Sequence, residues 1–519
     1  MKQNYDAIVI GSGLGGLTAG ALFARAGHDV LVLERNEAFG GAAGTYERGG
    51  RLFEASLHET TPLGAPGDPK AAVFRALGLD DVVELVPIEI FQEVRSPLLG
   101  TPLRLPHGLD KVEAALAERF PADHAAIHGF LTQIGRSQEA LAAFSEHHDG
   151  QWWLGRAADL PLDLWALVRD MGSTLSEVMQ RHFGAHEVLK LVMAANLGYY
   201  SENPDRLWWL AYAVAQGGYL HSGAYYIKGG SGWLVENLVR IVREEGGTAL
   251  TGHSVTRVLT DPQGRANGVQ VTGPDGTLSE VHAPVIFANA APEHVAAMLA
   301  TPIRAAFMEP FAGRRPSVSA FTISYALNRP AAEIGLTAYS TQILPEWMET
   351  LADFKAVGGL TAAMPGDRLP PLAVVDYGHV DSGLATGQPA PVCATAIDRL
   401  ENWDGLSDAD YAARKAAWVA AVTARLDAEW PGFAAAVVSA DMATARTLRD
   451  RLGTPGGAVL GFDPEVPRGL LSVPQMTART SVPGLWLASA WAGMGGYTGA
   501  MGMGAVAARA ALRTASHRA

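Results

Sequence analysis

The chain opens on an apolar run, Tyr5-Asp6-Ala7-Ile8-Val9-Ile10, which reads as a strand buried on both faces. Small residues continue at helical spacing to about Ala26, and Gly27 stops that helix. A second run, Asp29-Val30-Leu31-Val32-Leu33, is the next strand and ends at Glu34. Strand, helix and strand in about 30 residues predict a βαβ unit with parallel strands. Between 60 and 225 the pattern turns helical and rich in Ala, Leu and Trp, with breaks at Pro121, Pro161 and Pro204. Leu234, Val235, Leu238, Val239, Ile241 and Val242 then share one helical face, closed by Gly246-Gly247. Three strands are predicted around 255–259, 268–271 and 285–288, with turns at Pro262-Gln263-Gly264 and Pro274-Asp275-Gly276. Residues 300–450 are mixed, with a charged helix near 412–429. The end is a strand, Leu485-Trp486-Leu487-Ala488, a Gly-rich loop and a helix to about Leu512.

The first strand and helix are joined by Gly11-Ser12-Gly13-Leu14-Gly15-Gly16, a Gly-x-Gly-x-x-Gly pattern. Gly11 permits a tight turn, and Gly13 lets backbone approach a pyrophosphate at the helix N-terminus that Leu14 opens. Gly16 allows close packing of helix and strand. Glu34, 18 positions after Gly16, suits hydrogen bonds from ribose hydroxyls. With strands, helix and acid all in place, the pattern predicts a nucleotide-cofactor domain. No second Gly-x-Gly-x-x-Gly stands in a strand–helix context, so a bound NAD(P)H domain is not indicated. Electrons must then come from, or go to, an external donor or acceptor.

Composition narrows the partners. Lys plus Arg is 40 against 53 for Asp plus Glu, a net charge of −13, which excludes a nucleic-acid binder. The single Cys393 excludes an internal disulfide framework and a cysteine-rich metal site, and suits a reducing compartment. No histidine pair has metal-ligand spacing with a third ligand nearby, so no metal is expected. No Gly-x-Ser-x-Gly elbow signals acyl transfer. The N-terminus lacks a secretory pattern, and a cytoplasmic location is expected. Residues 480–508 carry no charge and are long enough to span a bilayer, but Pro483 and seven glycines favour strand, loop and helix. With 58 glycines placed at turns between apolar elements, the chain needs many close backbone approaches.

After Glu34-Arg35 come Gly40-Gly41 and Gly44-Thr45-Tyr46, and here the chain resembles the flavin amine-oxidase superfamily. Phe53-Glu54-Ala55-Ser56-Leu57-His58 resembles the corresponding segment of phytoene desaturases, carotenoid isomerases and retinol saturases. Gly229-Gly230-Ser231-Gly232, Asn289-Ala290-Ala291-Pro292, Pro455-Gly456-Gly457 and Gly495-Gly496-Tyr497-Thr498-Gly499-Ala500 resemble further segments of that family. The resemblance implies FAD as cofactor. It assigns Arg35, Gly40, Gly41, Gly44 and Thr45 to the phosphate end and Val255 to the adenine. Trp491, Gly496, Gly499 and Ala500 fall to the flavin ring. It departs at Ala42, where the family usually has arginine, and at Ser489-Ala490-Trp491, where many members carry an acid.

The implied fold is α/β: a Rossmann-type FAD-binding domain built from discontinuous segments, interleaved with an α+β substrate domain that includes a helical insert. The expected segments are 1–75, 226–298 and 455–519 for the FAD domain and 76–225 and 299–454 for the substrate domain. The implied function is redox or redox-neutral chemistry at carbon–carbon double bonds of a lipophilic polyene or isoprenoid. Saturation, desaturation and cis–trans isomerisation stay open, and the alternatives are a flavin amine oxidase or a non-catalytic lipid-binding module. His58 is the first candidate for proton transfer, with Glu59 beside it and Tyr497 in the flavin loop. Tyr199-Tyr200 and Trp208-Trp209 are candidate walls of an apolar tunnel. Trp152-Trp153 and Trp165, flanking Pro161, suit peripheral contact with a membrane.

Overall fold

The computed structural model describes residues 1–65, 67–145, 165, 167–467, 477–493 and 495–516. Trp152, Trp153 and Pro161 lie outside the described residues.

Five strands form a parallel sheet in the order Leu485–Leu487, Val285–Ala288, Ala7–Ile10, Val30–Leu33, Thr248–Leu250. They come from three distant stretches of chain, so a discontinuous sheet is the observed topology. All residues of Ala7–Ile10 and Val30–Leu33 are buried, as continuous apolar runs require when both faces are covered. Helices Leu14–Arg25, Gly230–Glu244 and Gly496–Ser516 supply much of that cover. The first and last of these touch backbone to backbone. A Cβ on Gly15 would lie 2.5 Å from the carbonyl oxygen of Ala488, and one on Gly504 would run into the carbonyl of Gly15. Gly484, Gly495, Gly502 and Gly504, among the glycines that argued against a membrane span, are therefore packing residues. Among the described residues, no helix is long and apolar enough to cross a membrane.

A three-stranded antiparallel sheet, Ser254–Thr260, Ala266–Thr272 and Leu278–His282, stands beside it. The turn at Pro274-Asp275-Gly276 thus leads to Leu278–His282, not to Val285–Ala288, which belongs to the parallel sheet. Only Val281 of Leu278–His282 is buried, so no apolar alternation announced that strand.

The larger sheet has seven strands, in the order Val437–Ala443, Ser319–Leu327, Val392–Asp398, Leu372–Asp376, Ser340–Ile343, Gln92–Arg95, Leu103–Leu105. Its last two strands come from the stretch read as helical. Their buried positions include Gln92 and Glu93, and Glu93 pairs with Arg95 and Arg104 at 2.8 Å each. A strand whose inward face is an ion pair carries no hydrophobic signature. Helix Asp408–Glu429 closes the other side, setting Trp418, Val422 and Leu426 in one apolar cluster with Phe321 and Tyr325. Helices His124–Ser145, Leu175–Phe183 and Trp209–Ser222 form much of the insert.

Candidate functional site

A cavity of about 2260 Å³ runs from the carboxyl end of the parallel sheet to the face of the larger sheet. That end of a doubly wound sheet, where strand order reverses, is where ligands bind in open α/β folds. Here the reversal falls between Ala7–Ile10 and its neighbours Val285–Ala288 and Val30–Leu33. Asn289 ties the switch point together. Its amide oxygen accepts from the Gly13 N–H at 2.7 Å and its nitrogen donates to the Ala488 carbonyl at 2.9 Å.

The wall at this end is bare backbone. Gly11 has φ +85, and a Cβ on it would lie 2.8 Å from the Asn289 carbonyl oxygen. Gly13 caps helix Leu14–Arg25 without a side-chain hydrogen bond, so the first N–H groups remain available at the cavity wall. Gly16 does not line the cavity; it seats the helix on the sheet, 2.5 Å from the Gly11 oxygen for a built Cβ. Glu34 reaches the wall with one carboxylate oxygen accepting from Ser12 N–H at 3.0 Å and Ser12 Oγ at 2.6 Å. Its other oxygen accepts from Asn36 N–H at 2.9 Å. Gly40 and Gly41 line the same wall with φ +111 and +64, and Gly40 N–H donates to the Ser12 carbonyl at 3.1 Å. Val255 lines the cavity from the three-stranded sheet. This cradle, closed to side chains and edged by one acid, fits the diphosphate and ribose of a dinucleotide.

Three expected residues sit differently. Arg35 borders the cavity, but its guanidinium donates to the Arg451 carbonyl at 3.0 Å, at the end of helix Ala445–Leu452. Gly44 and Thr45 do not line the cavity. Gly44 N–H donates to Ser231 Oγ at 2.7 Å, and Thr45 packs on Gly230 and Gly232, where any Cβ would strike it. They join the first segment to helix Gly230–Glu244. The hinge of that junction is Glu54, which sequence reasoning passed over as a site residue. It accepts from Ser231 N–H at 2.8 Å, Ser231 Oγ at 2.6 Å and Leu57 N–H at 3.0 Å. Burial pushes its carboxyl above the ordinary range.

The next stretch, Ser56 to Glu59, crosses the cavity wall and is held by four tyrosines. Tyr497 and Ser56 share a hydroxyl hydrogen bond of 2.8 Å. Tyr377 donates to the Leu57 carbonyl at 2.9 Å, Tyr339 to the His58 carbonyl, and Tyr219 to the Glu59 carbonyl at 3.3 Å. The clamp draws on two helices and on residues flanking two strands, and its members stand up to 441 positions from the stretch they hold.

The two candidates on this stretch differ sharply. His58 is 8% exposed, with Nδ1 2.6 Å from the Tyr199 hydroxyl and Nε2 3.4 Å from Cys393 Sγ. Burial pushes its pKa down to about 4, so the ring is neutral and both nitrogens have partners. Glu59 has a buried carboxylate oxygen with no hydrogen-bond partner, and burial pushes its pKa up to about 8. The two side chains are thus placed differently: both ring nitrogens of His58 have partners, whereas one buried oxygen of Glu59 has none among the described residues. Tyr199 and Tyr200 do line the cavity, as does Trp208, while Trp209 is fully buried in the core and donates to Ser137 Oγ at 3.3 Å.

At the far side of the cradle, Trp491 is 5% exposed and meets Phe462 edge-on at 4.8 Å. Gly496, with φ +74, starts helix Gly496–Ser516, and Gly496, Gly499 and Ala500 all line the cavity. A helix N-terminus therefore faces the cavity there, a position that stabilises negative charge.

Fold and cradle together define a dinucleotide-binding protein of the doubly wound class. Residues 14–368, more than half of the chain, match the family described as flavin containing amine oxidoreductase, and the chain belongs to that family. FAD is its cofactor. Relatives include all-trans-retinol 13,14-reductase of Rattus norvegicus, 27% identical over 316 residues covering 56% of this chain and 48% of that protein. The chain spans about half the length of this and two further mammalian retinol reductases it matches. Chloroplastic prolycopene isomerase of Arabidopsis thaliana is 22% identical over 489 residues, covering 93% of this chain and 78% of that one. Cyclohexylamine oxidase from Brevibacterium oxydans IH-35A shares the fold, with a TM-score of 0.61 at 15% identity over 98% of this chain and 99% of that one.

Proposed function

We propose that this chain is an FAD-dependent enzyme acting on a carbon–carbon double bond of a lipophilic polyene. The observation that carries the reading is Glu59, an acid whose pKa burial pushes up to about 8 and one of whose oxygens is buried without a partner among the described residues, in the wall of the cavity that contains the nucleotide cradle. The relatives named for retinol reduction and prolycopene isomerisation support the substrate class. Bound FAD supplies hydride or electron transfer. Glu59 holds a proton at neutral pH, and both reduction and isomerisation of a polyene can use one delivered to carbon. His58, kept neutral between Tyr199 and Cys393, fixes the wall beside it. The tyrosine clamp keeps Glu59 in place through the backbone. Tyr497 acts by holding Ser56.

The five segments named above are part of the proposal, with the FAD domain carrying the parallel sheet and the substrate domain the seven-stranded one. So is loading of the ligand at a membrane surface, which Trp165 at 64% exposure and Val168 at 49% support. Flotation with vesicles tests that part; unchanged flotation of Trp165→Ser would remove Trp165 from the contact.

One experiment separates the chemistries. The yellow protein is offered polyenes in two arms, oxidised with an added electron acceptor and reduced without oxygen, with the products read by mass. A gain of two hydrogens marks a saturase, a loss a desaturase, and no change with altered geometry an isomerase. Hydrogen peroxide release on amines, with inert polyenes, would overturn the reading in favour of amine oxidation.

A further inference from the structure

Arg314 is a partly buried arginine of the cavity wall, whereas Arg451, Arg479 and Arg509, which line the cavity without an ion pair among the described residues, are exposed. It follows Gly313, whose φ is +74, in the turn after the short helix Glu309–Phe311. Its guanidinium lies over the Phe462 ring, 4.1 Å from the centroid. Phe462 in turn stacks on Phe311 at 5.8 Å and meets Trp491 edge-on. All four residues line the cavity.

The neighbouring arginines are neutralised. Arg315 pairs with Glu465, and Arg206 approaches Glu465 at 3.4 Å and Asp463 at 3.9 Å. Arg314 has no such partner: among the described residues, no carboxylate lies within ion-pair reach and no acceptor takes its N–H groups. Burial, with no acid to offset it, disfavours its charged form. Guanidinium nevertheless stays protonated in proteins, and its five donors need acceptors. A partly buried cation without a counter-charge is costly unless a ligand brings one. The aromatic shelf fixes the plane of the group and leaves its donor edges for that ligand.

We propose that Arg314 is the oxyanion-binding residue of this cavity, engaging a carboxylate or phosphate through its planar fork. This goes beyond the proposed polyene chemistry and rests on that reading only in taking the cavity to hold FAD beside a lipophilic ligand. Two carriers have the required chemistry, the diphosphate of FAD and the acid head of a lipophilic carboxylate.

Two titrations distinguish them, on wild type, Arg314→Met and Arg314→Lys. FAD is added to the deflavinated protein and followed by flavin fluorescence. Retinoic acid and retinol are added to the holoenzyme and followed by tryptophan fluorescence. Arg314→Met is expected to weaken one oxyanion ligand by about 10- to 100-fold, the worth of a charge-assisted hydrogen bond or a bidentate pair. Retinol binding should change less than about 3-fold, since an alcohol brings no charge. Arg314→Lys keeps the charge and loses the fork, so an intermediate loss is expected. A loss confined to FAD assigns the site to the diphosphate, and a loss confined to retinoic acid assigns it to the substrate head. If neither ligand weakens in either variant, with melting temperatures unchanged, the proposal is overturned. If wild type binds neither polyene, the polyene reading fails, and the FAD titration alone decides Arg314.

Discussion

Replacing Glu59 by Gln removes one titrating proton and keeps the volume of the side chain. Glu59 ordinarily would titrate near 4.5, and burial lifts it to about 8. At 1.36 kcal/mol per pH unit, that displacement corresponds to roughly 5 kcal/mol. Between 4.5 and 8 the unfolded chain has released the proton while the folded chain keeps it. The folded state then binds more protons, so wild-type stability falls as pH rises through this window, and the full penalty is present above about 8. Glu59→Gln has no such dependence at this position. The stability difference between variant and wild type should therefore be smallest near pH 4.5 and widen in favour of the variant by up to about 1.4 kcal/mol per pH unit. Above about pH 8 it should level off. Urea unfolding followed by tryptophan fluorescence, from about pH 5 to about pH 9, measures this directly. A difference that stays constant within about 1 kcal/mol across that range would refute the buried, proton-bearing acid. Turnover gives an independent reading. In the direction that consumes a proton, wild-type activity should fall above about pH 8, where Glu59 ionises. Glu59→Gln should lose about 10²- to 10⁴-fold while still holding FAD.

Three other substitutions test the frame around it. His58→Ala should retain FAD and lose about tenfold or less in kcat, because a neutral wall residue contributes position and not a proton; a loss larger than that of Glu59→Gln would return the proton to His58. Gly504→Val should lower Tm and FAD occupancy, since the side chain meets the Gly15 carbonyl and overpacking of this kind costs about 1–3 kcal/mol or more; a yellow, equally stable variant would show that the two helices can separate freely. Asn289→Ala strands the Gly13 N–H and the Ala488 carbonyl and should cost about 1–3 kcal/mol per buried group, read by urea unfolding and FAD titration.

The cradle was legible because its causes are local. Buried parallel strands write themselves as apolar runs, and Gly11, Gly13 and Glu34 stand at spacings that the backbone alone dictates. What escaped was everything decided by distant partners. Strand Gln92–Arg95 hides because two of its buried positions, Gln92 and Glu93, are polar, with Glu93 paired to Arg104 and the backbone paired with Ser340–Ile343. Gly504 reads as a helix breaker until helix Leu14–Arg25 lies against it. The same reason separates the surroundings of His58 and Glu59. Adjacent in sequence, they are ranked there by residue type and resemblance alone, His58 first and Glu59 beside it. Tyr199, 141 positions away, and Cys393, 335 away, occupy the histidine, while among the described residues no partner reaches the buried oxygen of the glutamate. Resemblance can locate the stretch that passes a cofactor. Which side chain on it stays chemically free is a property of the fold, set by what the rest of the chain brings to the wall.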